Sequence, residues 1–370
     1  MVTILKTFIT VLLLAPISTQ TTSEPTLAAE ENQYMKEIKQ LVPEGQYKNC
    51  CLSFDDAWIC WQGNTVSSSM GDQIWIMPII DDEPWMLSTA VGEAINPTFV
   101  PGKNRIIYSA TKGFASKKTS TNKPRPGFSW SLGDYDLYKT DLDGTNQIRL
   151  TNTPGYDSEA SVSPDGRTVV FTSVRDGDMD IYAMSVDGAD VKRLTDTFGF
   201  DCQPRFSPDG EWILFSSYTP ETDDEDEDYE SMLAVGIVDA PRFEIHRMRP
   251  DGSERQPITA LGAISLTPCM HPLNKNIVFS SNYDIAFDED LQDQTTFNLF
   301  MIEFDDSELQ QITFNPKFDG SPNFTKDGLK LIWISDRAVS TRGSTTGIYS
   351  AEWTTGKTPS RIAVPTSTKK

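Results

Sequence analysis

Only two histidines and five cysteines occur among the 370 residues, so the usual parts of proton-transfer and metal chemistry are scarce. His246 alternates with apolar neighbours and His271 occupies a turn position, and both read as structural. No C-x-x-C or Cys/His spacing suggests zinc, and no G-x-S-x-G elbow suggests serine hydrolysis. Carboxylates, by contrast, are abundant, and several recur at matched places: Asp157 and Glu159, Asp201 with Gln203, Asp319, and Asp176 in a short loop. Acids gathered around one space could supply the carboxylate pair of a glycoside hydrolase or lyase. Nothing in their spacing singles out a pair. Their recurrence as GYD, GFD and KFDG suits scaffolding better, each acid bonding the backbone of a neighbouring connection. No catalytic residue is therefore assigned, and the balance leans away from an enzyme. Glu221–Asp228 is a block of like charge, expected to be solvated and disordered. Asp288, Glu289 and Asp290 add a second acidic stretch, so calcium could bridge these loops. The D-x-D-x-D-G spacing of a calcium loop is absent, and no cofactor or metal site is expected. Phe128 and Trp130 follow the basic stretch Lys117, Lys118, Lys123 and Arg125 and are candidate anchors for a partner or a sugar ring.

These residues hang on a repeat. DYDLYKTDLDGTNQIRLTNTPGYDSEASVSPDGRTVVFTS runs in step with DMDIYAMSVDGADVKRLTDTFGFDCQPRFSPDGEWILFSS, matching Tyr138 to Tyr182 and Ser163-Pro164-Asp165-Gly166 to Ser207-Pro208-Asp209-Gly210. Self-similarity at a fixed period signals a repeat architecture. Each unit holds four short apolar runs divided by Pro-Asp-Gly and Asp-Gly turns, the signature of four antiparallel strands. The second-strand pattern recurs six times, from Trp58-Ile59-Cys60-Trp61 to Leu331-Ile332-Trp333. The expected fold is all-β: a six-bladed β-propeller of four-stranded blades over 46–366. The last unit has its own candidate fourth strand, Arg361–Val364, so closure is expected from packing of the terminal blades without a shared strand.

The SPDG turns, the DIYAMSVDG segment, RLTD and FNLFMIEFDDSELQQITFNPKFDGSPNFTKDGLKLIWISDR resemble the TolB-like β-propeller family with WD-type repeats. The resemblance covers nearly all of the chain after its first residues. It implies the fold, and among functions it implies a binding platform, a periplasmic component or an accessory domain. His271-Pro272-Leu273-Asn274, Thr325-Lys326-Asp327-Gly328 and Ser53-Phe54-Asp55-Asp56 depart from the SPDG form.

Residues 1–20 have the shape of a secretory signal peptide, which predicts a secreted or periplasmic protein with no membrane span. Residues 21–45 are expected to be a flexible lead-in, with Asn32–Leu41 either a short helix or disordered. A net charge of −21 disfavours nucleic acid. Export permits disulfides: Cys60 faces Cys50 if the first turn has three residues and Cys51 if it has two, and Cys50–Cys60 is the candidate pair. Connections between second and third strands swell at 111–133, 218–242, 282–296 and 336–346, yet stay short at Val174–Met179. All of them emerge on one face, and that face is the expected binding surface. The expected partner is a protein or peptide, with a polysaccharide second.

Overall fold

The computed structural model describes residues 28–64, 71–80, 83–88, 92–111, 129–283, 296–304, 308–337 and 345–354. The repeat builds antiparallel sheets. β1 (Met35–Leu52), β2 (Trp58–Asn64), β3 (Gln73–Pro78) and β4 (Trp85–Met86) make the first; β5 (Ala94–Phe99), β6 (Arg105–Thr111), β8 (Tyr135–Asp141) and β9 (Ile148–Arg149) the next. β10 (Asp157–Val162), β11 (Thr168–Ser173), β12 (Asp180–Ser185) and β13 (Lys192–Arg193) follow, then β14 (Phe200–Phe206), β15 (Ile213–Tyr218), β17 (Glu244–Met248) and β18 (Gln256–Pro257). β19 (Ser265–Met270), β20 (Ile277–Ser281), β21 (Asn298–Ile302) and β22 (Leu309–Gln311) form another, and β23 (Asp319–Phe324), β24 (Lys330–Ser335) and β25 (Thr346–Trp353) come last. A separate ribbon pairs β7 (Ser129–Ser131) with β16 (Ile237–Asp239).

The innermost strands touch in chain order, β1 to β5, β10, β14, β19 and β23, and β23 returns to β1. Each pair of neighbouring sheets shares its own apolar cluster. Ile107 and Leu137 meet Val169 and Phe171, Val170 and Ile181 meet Ile213 and Phe215, and Leu299 and Met301 meet Trp333 and Tyr349. The sheets are buried on both faces, which is why their second strands read as continuous apolar runs.

The S-x-D-G turns owe their recurrence to one set of bonds. Ser163 Oγ donates to Asp165 Oδ1 at 2.6 Å and accepts the N–H of Thr168 at 2.9 Å. Ser207 with Asp209, Ser53 with Asp55 and Thr325 with Asp327 repeat the arrangement, so two of the departing turns keep the same atoms in the same roles. The third substitutes an imidazole, His271 Nδ1 accepting the N–H groups of Leu273 and Asn274 at 3.2 and 3.3 Å. At the outer edge, Thr151, Thr195, Thr259 and Thr313 each accept a third-strand N–H through Oγ1. That explains the recurring RLT.

Two expectations are overturned where the ring closes. Residues 35–45 are neither helix nor disordered lead-in but the first half of β1, which pairs with β25 from Met35–Trp353 to Gly45–Thr346. The second half pairs with β2. One strand thus belongs to the first and last sheets, and closure does rest on a strand shared across the ring. Tyr34 and Met35 sink into the last apolar cluster. Just upstream, the Glu31 carboxylate takes two bonds from Arg337, at 3.2 and 3.3 Å, and Arg337 also holds Asp319 at 3.0 Å. The candidate strand 361–364 lies outside the described residues.

The acidic block is ordered too: Asp223–Ala234 is a helix, α1. Thr222 caps it, accepting the N–H of Glu225, and four acids fill its first turn, where the helix dipole favours negative charge. Arg242 clamps Glu225 with 2.9 and 3.1 Å bonds, and Tyr229 is buried beneath the helix.

Candidate functional site

A cavity of about 1640 Å³ opens at the centre of the loop-rich face. Its lower wall is a ring of bulges. In every innermost strand the pairing register slips at the same place: between Tyr47 and Asn49, Ile95 and Thr98, Ser158 and Ser161, Cys202 and Arg205, Leu266 and Cys269, and Gly320 and Asn323. At five of these Asn96, Glu159, Gln203, Thr267 and Ser321 hold positive φ of 51° to 57°. Such bulges re-aim a side chain, here into the cavity. A left-handed backbone costs a non-glycine residue roughly 1–3 kcal/mol and persists only where surroundings enforce it; a β-branched residue such as Thr267 resists it most.

Hydrogen bonds knit the ring together. Ser321 Oγ donates to Asn49 Oδ1 at 2.8 Å, Asn49 Nδ2 to Asn96 Oδ1 at 3.2 Å, and Asn96 Nδ2 to Ser158 Oγ at 3.0 Å. Further round, the Gln203 N–H donates to Glu159 Oε2 and the Thr267 N–H to Gln203 Oε1, each at 2.9 Å. Arg205 on β14 reaches past β19 to Pro322 O at 3.0 Å and Asn323 Oδ1 at 2.6 Å. It is not among the cavity's lining residues.

The upper wall comes from two distant insertions. β7 leaves the β5–β9 sheet, β16 and α1 leave the β14–β18 sheet, and the ribbon joins them across the β10–β13 sheet between. That sheet is the one whose second connection is short, as a crossing ribbon requires. Tyr229 of α1 donates to Asp178 of that short loop and to Gly199 O. Beneath the ribbon lies an apolar cluster including Tyr135, Tyr156, Phe200, Val238 and Phe243.

Trp130 is accordingly half-buried in β7, 5.9 Å from Phe243 ring to ring, and lines the cavity instead of projecting from a loop. Phe128, Lys117, Lys118, Lys123, Arg125 and Asp288–Asp290 lie outside the described residues. Of the sequence candidates, Glu159 and Gln203 join Trp130 on the wall. Asp157, Asp201 and Asp319 do not line it; each is buried and ion-paired, with Arg175 at 2.9 Å, Arg255 at 2.8 Å and Arg337 at 3.0 Å. Burial still pushes Asp201 up to about 6, against its arginine. Asp176 is exposed and accepts the Tyr182 hydroxyl at 2.6 Å.

One part of the wall was not foreseen. The Tyr135 hydroxyl donates to Glu93 Oε2 at 2.5 Å, and the Tyr156 hydroxyl to Glu159 Oε1 at 3.1 Å. The two rings meet edge to face at 5.9 Å. Burial raises the Glu159 carboxyl above its ordinary value, opposed by the Thr172 hydroxyl and the Gln203 N–H.

No disulfide joins Cys50 and Cys60; both are free thiols. The turn between β1 and β2 places Cys51 opposite Cys60 and Cys50 opposite Trp61. The Cys60 thiol bonded to Cys51 holds the latter down to about 6. Among the described residues no three His, Cys, Asp or Glu converge as a metal site, and no helix is long and apolar enough to cross a membrane.

Residues 129–222 match the family model PD40, the TolB beta propeller domain. No curated protein matches the sequence. Among solved structures, TolB from Acinetobacter baumannii superposes with a TM-score of 0.55 at 17% identity, covering 82% of this chain and 65% of that one. The chain thus spans just under two thirds of that relative. A TolB-assigned protein from Agrobacterium tumefaciens gives 0.53 at 19% identity, covering 86% of this chain and 96% of that one. The protein XC5397 from Xanthomonas campestris, a gluconolactonase, gives 0.54 at 14% identity, with 90% and 95% covered. At these identities the likeness is one of fold, and the functions of those proteins are their own. The fold is that of a TolB-like β-propeller, with the TolB propeller domain itself matched over residues 129–222.

Proposed function

We propose that this chain is an exported, six-bladed propeller that works as a non-catalytic binding platform, receiving a protein or peptide segment in the cavity of its loop-rich face. The observation that carries the reading is the pairing of β7 with β16. Two insertions far apart in sequence meet over the mouth of the ring, and they enclose space instead of filling it. Binding sites concentrate where elaborated segments stand on a rigid scaffold, and here the opposite face is reduced to tight turns. Residues 1–20 support the secreted or periplasmic part of the proposal through their signal-peptide pattern.

Selection of peptides from a displayed library on the full chain tests this. Selected sequences bind the wild type at least tenfold more tightly than Gln203→Ala or Trp130→Ala, each checked for folding by thermal melt. Failure to select any binder, or binders indifferent to both variants, would sink the platform reading.

One observation favours a second reading, a carbohydrate-active enzyme. Glu159 sits in the cavity with its carboxyl raised by burial, the condition of a general acid, and Glu93 stands on the same wall. Turnover of a polysaccharide by the wild type, abolished in folded Glu159→Gln, would select that reading over the first.

A further inference from the structure

Among the described residues, the charges lining the cavity are unbalanced. Asp72, Glu93, Asp134, Glu159, Glu230 and Asp336 face it, against Lys48 and Lys317. Both lysines are engaged, Lys48 with Asp72 at 2.7 Å and Lys317 with Asp336 at 3.9 Å. Glu93 and Glu159, in contrast, are held by hydroxyl and amide donors, and among the described residues neither is ion-paired. Among the described residues no arginine lines it.

The other component of the wall is aromatic. Tyr135 and Tyr156 stand between the two glutamates, and Trp130, Tyr229 and Phe198 lie along the upper wall. Carboxylates set among aromatic faces and shielded from bulk water attract organic cations, through charge and through the ring quadrupole together. The geometry is preorganised. Each tyrosine hydroxyl fixes one glutamate, and the bulge that orients Glu159 is locked by Gln203. An independent sign that the cavity suits a polar ligand is Thr345, which lines it at 8% exposure with its Oγ1 free to accept a hydrogen bond. The buried Thr267 Oγ1 is likewise unpartnered. Hydroxyl oxygens so placed can accept N–H bonds, and buried polar groups without partners are uncommon.

We propose that the cavity receives a basic side chain, the ammonium or guanidinium group of a lysine- or arginine-bearing segment, seated between Glu93 and Glu159 against Tyr135 and Tyr156. The inference rests on the platform reading and adds the chemistry of the partner. A free polyamine would present the same ammonium chemistry.

Calorimetric titration of the full chain with defined probes tests it. The first probe is a capped Gly/Ser peptide carrying three lysines, and the second is its Nε-acetylated counterpart. The third is the same peptide with glutamate in place of lysine, and the fourth is spermidine. The lysine peptide binds, acetylation weakens it at least tenfold, and Glu159→Gln and Glu93→Gln each weaken it fivefold or more. Asp223→Asn/Asp224→Asn on exposed α1 leaves it within twofold. Spermidine binding with the same dependence on Glu159 supports the site and assigns its source to free amines. Equal binding of lysine and acetyl-lysine peptides, or loss with the α1 variant in place of the glutamate variants, would overturn the proposal. Library-selected peptides that need Trp130 but carry no basic residue would remove the cation inference and leave the platform intact.

Discussion

His246 stands outside the cavity wall and bears on stability instead. It lies on β17 against Phe215, at 5.5 Å between ring centroids, with its Nδ1 unpartnered. Burial, helped by Arg255, lowers its pKa from 6.5 to about 4. Because the folded value lies below the unfolded one, the unfolded chain takes up the proton first. The contribution of His246 is complete above about pH 6.5 and is lost as pH falls toward 4. A difference of that size corresponds to about 3 kcal/mol. His246→Gln should therefore lose less stability between pH 7.5 and 5 than the wild type does, read by urea melts at the two pH values. Other groups, Asp201 among them, titrate with the opposite sign but are common to both proteins and cancel in the comparison. Parallel losses would contradict the assignment. At this scale the sequence was informative about kind and poor about partners. Asp157, Asp201 and Asp319 were recognisable as a recurring set, yet the arginines that hold them lie 18, 54 and 18 residues away. Only the folded ring brings those together.

Among elements, β1 departs most from what its sequence suggests. A strand buried on one face should alternate polar and apolar residues, but Met35, Ile38 and Val42 do not keep that period. The register with β25 slips between Lys36 and Lys39, between Gln40 and Val42, and between Val42 and Gly45. These irregularities return each apolar side chain to the interior and erase the signal that would have announced a strand. α1 was hidden for another reason. Eight consecutive residues, Glu221–Asp228, with one threonine among acids look like solvated chain, and the features that order them, a cap, an aromatic anchor and Arg242, are single residues. The regular repeats were legible because their turns and their strands depend on local chemistry. The role of β1 gives a direct expectation. Met35→Ala, at a fully buried site, should cost about 2 kcal/mol or more in chemical denaturation, while Lys36→Ala, an exposed neighbour on the same strand, should change stability by less than about 0.5 kcal/mol. Equal, negligible effects would mean that 35–45 is not part of the closed structure.

For the whole molecule, the division between faces was visible from loop lengths alone. One side carries tight S-x-D-G and Asp-Gly turns, and on the other, among the described residues, stand the β7–β16 ribbon and α1. What loop lengths could not reveal is that two insertions pair with each other, since β7 and β16 are short and about a hundred residues apart. Nor could they reveal the bulge ring, because Asn96, Thr267 and Ser321 are unremarkable polar residues until a shared register slip turns them inward. Recognition is therefore expected at the mouth closed over by β7, β16 and α1. Hydrogen–deuterium exchange of the full chain, with and without a saturating library-selected peptide, tests that claim most directly. Protection should appear in 129–135, 155–159 and 229–239, with the turns at Ser163–Arg167 and Ser207–Glu211 unchanged. Protection confined to those turns, with the ribbon and helix exchanging as in the free protein, would contradict it.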